Sequence, residues 1–219
     1  MKRIVEHTAD GSSTLFVPEL NEHYHSVKGA RTESQHIFID MGMKHSSANP
    51  IRILEIGLGT GLNAFLTLTE AEQSGKEVHY TGLELYPLDW ETVRCLEYSD
   101  STLFQQIHVS PWEQETKLTP TFTLTKKKTD FTLLPQDGTL KGFDVIYFDA
   151  FAPEKQPEIW NEELFKHLYV IMNTEGILTT YCAKGIVRRM LQQAGFTVER
   201  LAGPPNGKRE ILRAVKNKS

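Results

Sequence analysis

Cysteine is nearly missing from this chain: Cys95 and Cys182 are the only two in 219 residues, and no C-x-x-C or metal-type spacing joins them. That excludes a disulfide framework, and with no upstream secretory apolar segment it suits a reducing cytoplasm. No run approaches ~18 consecutive apolar residues, so no membrane-crossing helix is expected. Excess positive charge is missing too, with 24 Lys plus Arg against 28 Asp plus Glu and a net charge of -4. Any nucleic-acid partner must therefore meet a local basic patch, not an overall field. His23, His25 and His36 lie outside any H-E-x-x-H pattern or Cys/His cluster, so no metal is expected and they read as surface or pocket-lining groups. The length suits one well-buried α/β domain with a small addition, and falls short of two full enzyme domains.

What is present begins with Ile51-Arg-Ile-Leu-Glu-Ile-Gly-Leu-Gly-Thr-Gly-Leu-Asn63. Ile51, Ile53, Leu54 and Ile56 give the near-continuous apolar pattern of a strand covered on both faces, and Asn63 to Glu72 changes to helical spacing. Gly57, Gly59 and Gly61 remove the Cβ atoms where the chain must turn and where a ligand must approach, with a helix N-terminus aimed at the same space. A dinucleotide fingerprint would place its third glycine at 62, which is Leu62. Glu55 adds a carboxylate beside the pocket; it would repel a pyrophosphate and hold the cationic S-adenosylmethionine. The E-x-G-x-G-x-G pattern therefore favours S-adenosylmethionine, with Asn63 counted among its contacts.

Residues 1 to about 20 read as a β-hairpin around Asp10-Gly11-Ser12-Ser13, and a polar stretch that includes Glu33 precedes a core-like Ile37-Phe38-Ile39. Residues 1–45 are accordingly expected to form an extension lining the active site, and 46–219 the main domain. Val78 to Leu85 reads as the second strand, with Glu84 near its carboxyl end able to accept both ribose hydroxyls of an adenosine. Ile107-His108-Val109 reads as a short third strand, and residues 116–142 as an inserted hairpin joined at Lys126, Lys127 and Lys128. Phe143 to Asp149 is again a buried parallel strand. A helix from Pro157 to about Asn173 carries Trp160, Leu164, Leu168 and Met172 on one apolar stripe. A strand from Ile177, a helix from Gly185 and a final pair, Thr197 to Ala202 and Arg209 to Val215, complete the chain. Strands joined by a short turn pair antiparallel, so a mostly parallel, Rossmann-like sheet of seven strands ending in a hairpin is expected.

Ligands in such sheets bind outside the carboxyl ends of the strands, which assigns Glu55, Glu84 and Asp149 to one crevice. Asp149 is placed for chemistry. Phe151 follows with an aromatic face for a flat base, and Pro153 stiffens the segment. A carboxylate that accepts from an amine beside a base-stacking ring suits N-methylation of a nucleobase substituent.

Phe148-Asp-Ala-Phe-Ala-Pro-Glu-Lys-Gln-Pro-Glu-Ile-Trp160, Val187 to Phe196, Gly207-Lys-Arg-Glu210 and the glycine stretch together resemble the methyltransferase half of the bacterial tRNA 5-methylaminomethyl-2-thiouridine biosynthesis family, from about Tyr24 to Arg213. The resemblance implies a class I fold and S-adenosylmethionine-dependent methylation of the aminomethyl group on the tRNA wobble uridine, with Asp149 as the acid-base or amine-positioning residue. It implies a tRNA partner, met here by Lys184, Arg188, Lys208 and Arg209, with Arg189 and the three lysines at 126–128 completing the basic surface. The bifunctional family also carries an oxidase half that makes the aminomethyl group. This chain is expected to be the stand-alone form, with a separate enzyme supplying the substrate. Where the family has an acid after the third strand, this chain has Ser110-Pro111-Trp112, and Trp112 is expected to stack on the adenine. The alternatives are an aminopropyltransferase of the spermidine synthase kind and a non-catalytic partner in tRNA modification.

Overall fold

The computed structural model describes residues 2–136 and 138–218. The chain opens with a small sheet in which β2 (Ser13–Val17) pairs antiparallel with β1 (Ile4–His7) and with β3 (Glu22–His23). Helix α1 (Ala30–Ser34) runs into a π-helical turn, Gln35–Asp40, that buries Ile37, Phe38 and Ile39. The main sheet starts at β4 (Ile51–Ile56) and continues through α2 (Leu62–Ser74), β5 (Val78–Glu84), α3 (Trp90–Arg94) and α4 (Thr102–Val109). Then come β6 (Glu115–Thr119), β7 (Phe122–Lys128), β8 (Phe143–Phe148), α5 (Glu162–Ile171) and β9 (Met172–Thr180). Helix α6 (Gly185–Gln193), β10 (Thr197–Ala202) and β11 (Glu210–Val215) close the chain.

The main sheet has eight strands in the order β10-β11-β9-β8-β4-β5-β7-β6. Strands β9, β8, β4, β5 and β7 are parallel, while β11, β10 and β6 run antiparallel to their neighbours. Strand alternation distributes the core to both faces. Ile51, Ile53, Tyr80, Phe122, Leu124, Val145 and Tyr147 face α2, α4 and the N-terminal segment; Leu54, Ile56, Leu83, Ile146 and Phe148 face α5, α6 and Phe131, Leu134 and Leu140. The N-terminal Leu15, Ile37 and Phe38 belong to the first of these cores. The order reverses at β4, whose neighbours are β5 and β8, and this opens a crevice at the carboxyl ends.

The expected third strand at 107–109 is a helix instead. Ser101 caps it by accepting from Leu103 N at 3.2 Å, and Phe104 and Ile107, three apart, bury one face. The third strand is β7, paired in parallel along β5 from Val78 to Glu84. The hairpin expected as an insertion is therefore part of the sheet, and the sheet has eight strands, not seven. Its turn lies at Pro120-Thr121, between β6 and β7, and the lysines lie at the far end of β7. Lys126 is 1% exposed; its ammonium donates to His108 O at 2.6 Å, at the carboxyl end of α4, and stands 4.8 Å from the Trp112 ring centroid. Desolvation pushes it down to about 8. Lys126 is a buried helix-end cation and not a phosphate contact.

Candidate active site

The crevice is a cavity of about 620 Å³. Gly57, Gly59 and Thr60 of the glycine turn, Glu84 at the end of β5, Asp130 after β7, Asp149 and Phe151 after β8 and Tyr181 after β9 reach it from the carboxyl ends. Tyr24, His25 and Glu33 close it from the N-terminal segment, and Lys208 from the β10–β11 loop.

The glycine turn is compact for a steric reason. Gly57 has φ +91°, and a Cβ there would stand 2.8 Å from the backbone oxygen of Asp149. At Gly59, φ is +50° and a Cβ would stand 3.1 Å from the ring of Tyr24. The turn is thus threaded between the acid-bearing end of β8 and an aromatic lid. Gly61 lies just behind the cavity, where a Cβ would meet the His108 imidazole.

Glu84 accepts from Gly59 N at 2.9 Å through Oε2 and from Tyr86 N at 2.9 Å through Oε1. One carboxylate so pins the turn and presents its remaining lone pairs to the cavity. Glu55 does not line the cavity. Alternation along β4 puts it on the α2 face with Ile53, where it is wholly buried, accepting from Asn63 Nδ2 at 2.8 Å and Tyr80 OH at 2.7 Å. Burial pushes its carboxyl well above the usual range, against the pull of Tyr80 and with a further push from the Asp149 charge. The direct cofactor contact expected of Glu55 is therefore not available from its buried position. Asn63 likewise sits behind the cavity wall, its Nδ2 also donating to Asp149 Oδ2 at 2.7 Å.

Asp149 stands at the end of the buried β8 with its N–H bonded to Ile56 O at 3.0 Å. Burial pushes it up to about 7; the Asn63 bond and the Lys208 ammonium pull it down, and Glu33 pushes it up. A carboxyl titrating there is matched to proton transfer at neutral pH. Phe151 meets Tyr24 edge to face, ring centroids 5.1 Å apart at 73°. Its own backbone is fixed by Gln156 Oε1, which accepts from Phe151 N at 3.0 Å, and by Trp160 Nε1, which donates to Phe151 O at 2.8 Å. Pro153 is in the same segment but does not line the cavity. Glu33 accepts from Ser26 N at 2.8 Å and from Lys208 Nζ at 2.5 Å, and the Lys208 ammonium lies 4.4 Å from the Tyr181 ring centroid.

Three expectations are corrected by this geometry. Trp112 packs over Lys126 and does not reach the cavity, because the third strand ends at Lys128 and not at Val109. The acid after the third strand is present after all: it is Asp130, on the cavity wall, accepting from Thr132 N at 2.9 Å and Thr132 Oγ1 at 2.7 Å. Reading β7 as a sheet strand would have found it. Of the expected basic surface, Lys184, paired with Glu154, and Arg209 are exposed and Arg188 is half-buried, all outside the cavity; only Lys208 lines it. Tyr24 and Tyr181 were not singled out in the sequence, where isolated aromatics carry no spacing signal. The histidines are spread over separate contacts: His23 with Glu6, His25 with Thr60 and His36 with the Ala202 carbonyl.

The cavity fits S-adenosylmethionine on its own terms. It joins a turn that has no space for a side chain, a carboxylate at the end of the second strand, another acid after the third, and a volume of about 620 Å³ that suits a nucleoside-sized ligand. Residues 98–217 match the family model described as S-adenosyl-L-methionine-dependent methyltransferase. The chain is 29% identical over 205 residues to the tRNA 5-methylaminomethyl-2-thiouridine biosynthesis bifunctional protein MnmC of Pseudomonas putida, a match covering 82% of this chain and 30% of that protein. The chain thus spans about a third of that relative's length. The crystal structure of MNMC2 from Aquifex aeolicus superposes with a TM-score of 0.80 at 25% identity, covering 97% of this chain and 70% of the other. Spermidine synthase from Thermotoga maritima shares the fold at a TM-score of 0.56 and 12% identity, over 100% of this chain and 81% of that one.

Proposed function

Because the chain belongs to the family of S-adenosyl-L-methionine-dependent methyltransferases, we propose that it methylates the nitrogen of an aminomethyl group on the wobble uridine of tRNA, giving 5-methylaminomethyluridine or its 2-thio form. The observation that carries this reading is that Asp149 and Phe151 line the same cavity as the glycine turn, with Gly57 packed directly against the Asp149 backbone. The activity in the name of the Pseudomonas relative points the same way. A separate activity supplies the aminomethyl group, and a tRNA substrate puts the work in the cytoplasm.

Gly57 and Gly59 hold the methionine part of S-adenosylmethionine, Glu84 its ribose hydroxyls and Asp130 its adenine amino group. When bound, this cofactor supplies the methyl group as an electrophile. Asp149 Oδ2 is taken by Asn63, so Oδ1 receives the proton of the attacking amine. Only a neutral amine has the lone pair the displacement needs, and a carboxylate with a pKa near 7 is a competent acceptor. Phe151 stacks on the uracil ring, and Tyr24, edge-on to it, keeps water out of that side. Glu33 and Lys208 face the substrate from opposite elements. Lys184, Arg188 and Arg209 offer phosphate contacts outside the cavity.

Mass spectrometry of wobble nucleosides from cells with and without this protein tests the proposal: its loss should leave the aminomethyl nucleoside in place of the methylaminomethyl one. Glu22, Glu33 and Glu158 on the cavity wall favour a cationic ligand, which a polyamine also is, and support aminopropyl transfer as the second reading. Unchanged wobble nucleosides, with aminopropyl transfer to putrescine by the purified chain, would establish it instead.

A further inference from the structure

Helix α2 starts immediately after the glycine turn and puts a polar stripe, Asn63 and Thr67, against the middle of the sheet. Thr67 donates to Asn63 O at 2.7 Å and meets Tyr147 OH at 3.2 Å. Asn63 is 2% exposed, and its one amide nitrogen lies 2.8 Å from Glu55 Oε1 and 2.7 Å from Asp149 Oδ2. Both partners are carboxylate oxygens, so the atom between them is the nitrogen and each of its hydrogens has an acceptor. The amide oxygen is buried and has no hydrogen-bond partner among the described residues. A buried acceptor left unpaired is costly, so the amide orientation is dictated by the two acids and not by its own best satisfaction.

We propose that Asn63 is the positioning residue of this site: its amide clamps Glu55 and Asp149 together and leaves Asp149 Oδ1 as the oxygen offered to the substrate amine. A structural role would need only a partner for Glu55, which Tyr80 already supplies. The bond to Asp149 does something more. An N–H donated to a carboxylate favours its charged form, so Asn63 keeps Asp149 ionisable in a site where burial opposes the charge. The other groups that act on Asp149 are Glu33 from α1, Lys208 from the β10–β11 loop and Glu55 from β4, with the buried hydroxyls of Tyr80, Tyr98 and Tyr181 around them. None of these donates a hydrogen bond to the Asp149 carboxylate among the described residues.

This inference rests on Asp149 acting as the base, and the experiment separates the two. The carboxyl carbon of Asp149 is followed by NMR across pH in the full chain, assigned by its loss in Asp149→Asn, in wild type, Asn63→Ala, Asn63→Ser and Thr67→Val. Loss of the amide should raise the Asp149 midpoint by about one pH unit in Asn63→Ala, and less in Asn63→Ser, which keeps one donor hydrogen. Thr67→Val, which disturbs the same stripe without touching Asp149, should leave it in place. In the methyl-transfer assay the acid limb of Asn63→Ala should move up with the midpoint, so that a roughly fivefold loss at pH 7 is recovered by pH 9, with cofactor affinity little changed. An unmoved midpoint in both Asn63 variants overturns the proposal, as does a loss of rate that is equal at every pH. A shifted midpoint together with full turnover in Asp149→Asn leaves the clamp standing and removes the base from the mechanism.

Discussion

Asp149 holds a proton more tightly in the folded chain than in the unfolded one, which has a consequence for rate and an opposite one for stability. As a base it works when ionised, so turnover should rise with pH through about 7 and level above it. Between the ordinary aspartate range and that value the folded state binds the extra proton, so this group's contribution to stability falls as pH rises and is fully lost above it. Asp149→Asn keeps the shape and an acceptor for Asn63 but cannot ionise. Turnover should drop by about 10²-fold or more. Melting of the same variant should be higher than wild type above pH 7, with the difference closing toward pH 4; a lower melting temperature at pH 8 would contradict the buried-charge reading. Phe151→Ala should weaken the tRNA substrate by roughly 1–3 kcal/mol, measured as a rise in KM with kcat little changed. The acid and the aromatic were legible because they follow a buried strand end within three residues. The clamp on Asp149 was not, since Asn63 and Asp149 are 86 positions apart and only the packing of α2 on β8 joins them.

The glycine turn and β7 are the elements on which the site depends most. Gly59→Val would place a branched side chain at φ +50° and against the Tyr24 ring, so calorimetry should find no S-adenosylmethionine binding in a chain that still melts cooperatively. Lys126→Glu would put an unpaired acid beside the carbonyl end of α4 and should cost about 3 kcal/mol or more in a denaturant melt, with the fold lost before any effect on tRNA can be read. The parallel strands β4, β5 and β8, helix α6 and the terminal hairpin were readable from apolar runs and turns of ordinary length. Residues 107–109 read as a strand because three alternating residues fit both periods, and the Ser101 cap that decides for a helix lies six residues upstream. The lysines of β7 suggested a turn because lysine is rarely buried. The long stem of Lys126 fills a core position while its ammonium finds a carbonyl.

At the scale of the whole molecule, a chain of net charge -4 can meet the proposed tRNA substrate only through local charge. With Lys126 buried, that charge falls to Lys184, Arg188, Arg189, Lys208 and Arg209, which belong to α6, its N-terminal flank and the β10–β11 loop, of which Lys208 lines the cavity. Affinity for tRNA should fall steeply between low and physiological salt, and reversing the charge of Lys184 and Arg209 together should flatten that slope. A flat slope in wild type would move the contact elsewhere. Purified protein, S-adenosylmethionine carrying a labelled methyl group and tRNA bearing an aminomethyl wobble uridine should yield the labelled methylaminomethyl nucleoside, read by mass spectrometry after digestion, with the label lost in Asp149→Asn. An unlabelled wobble nucleoside from active, cofactor-binding protein would contradict the account.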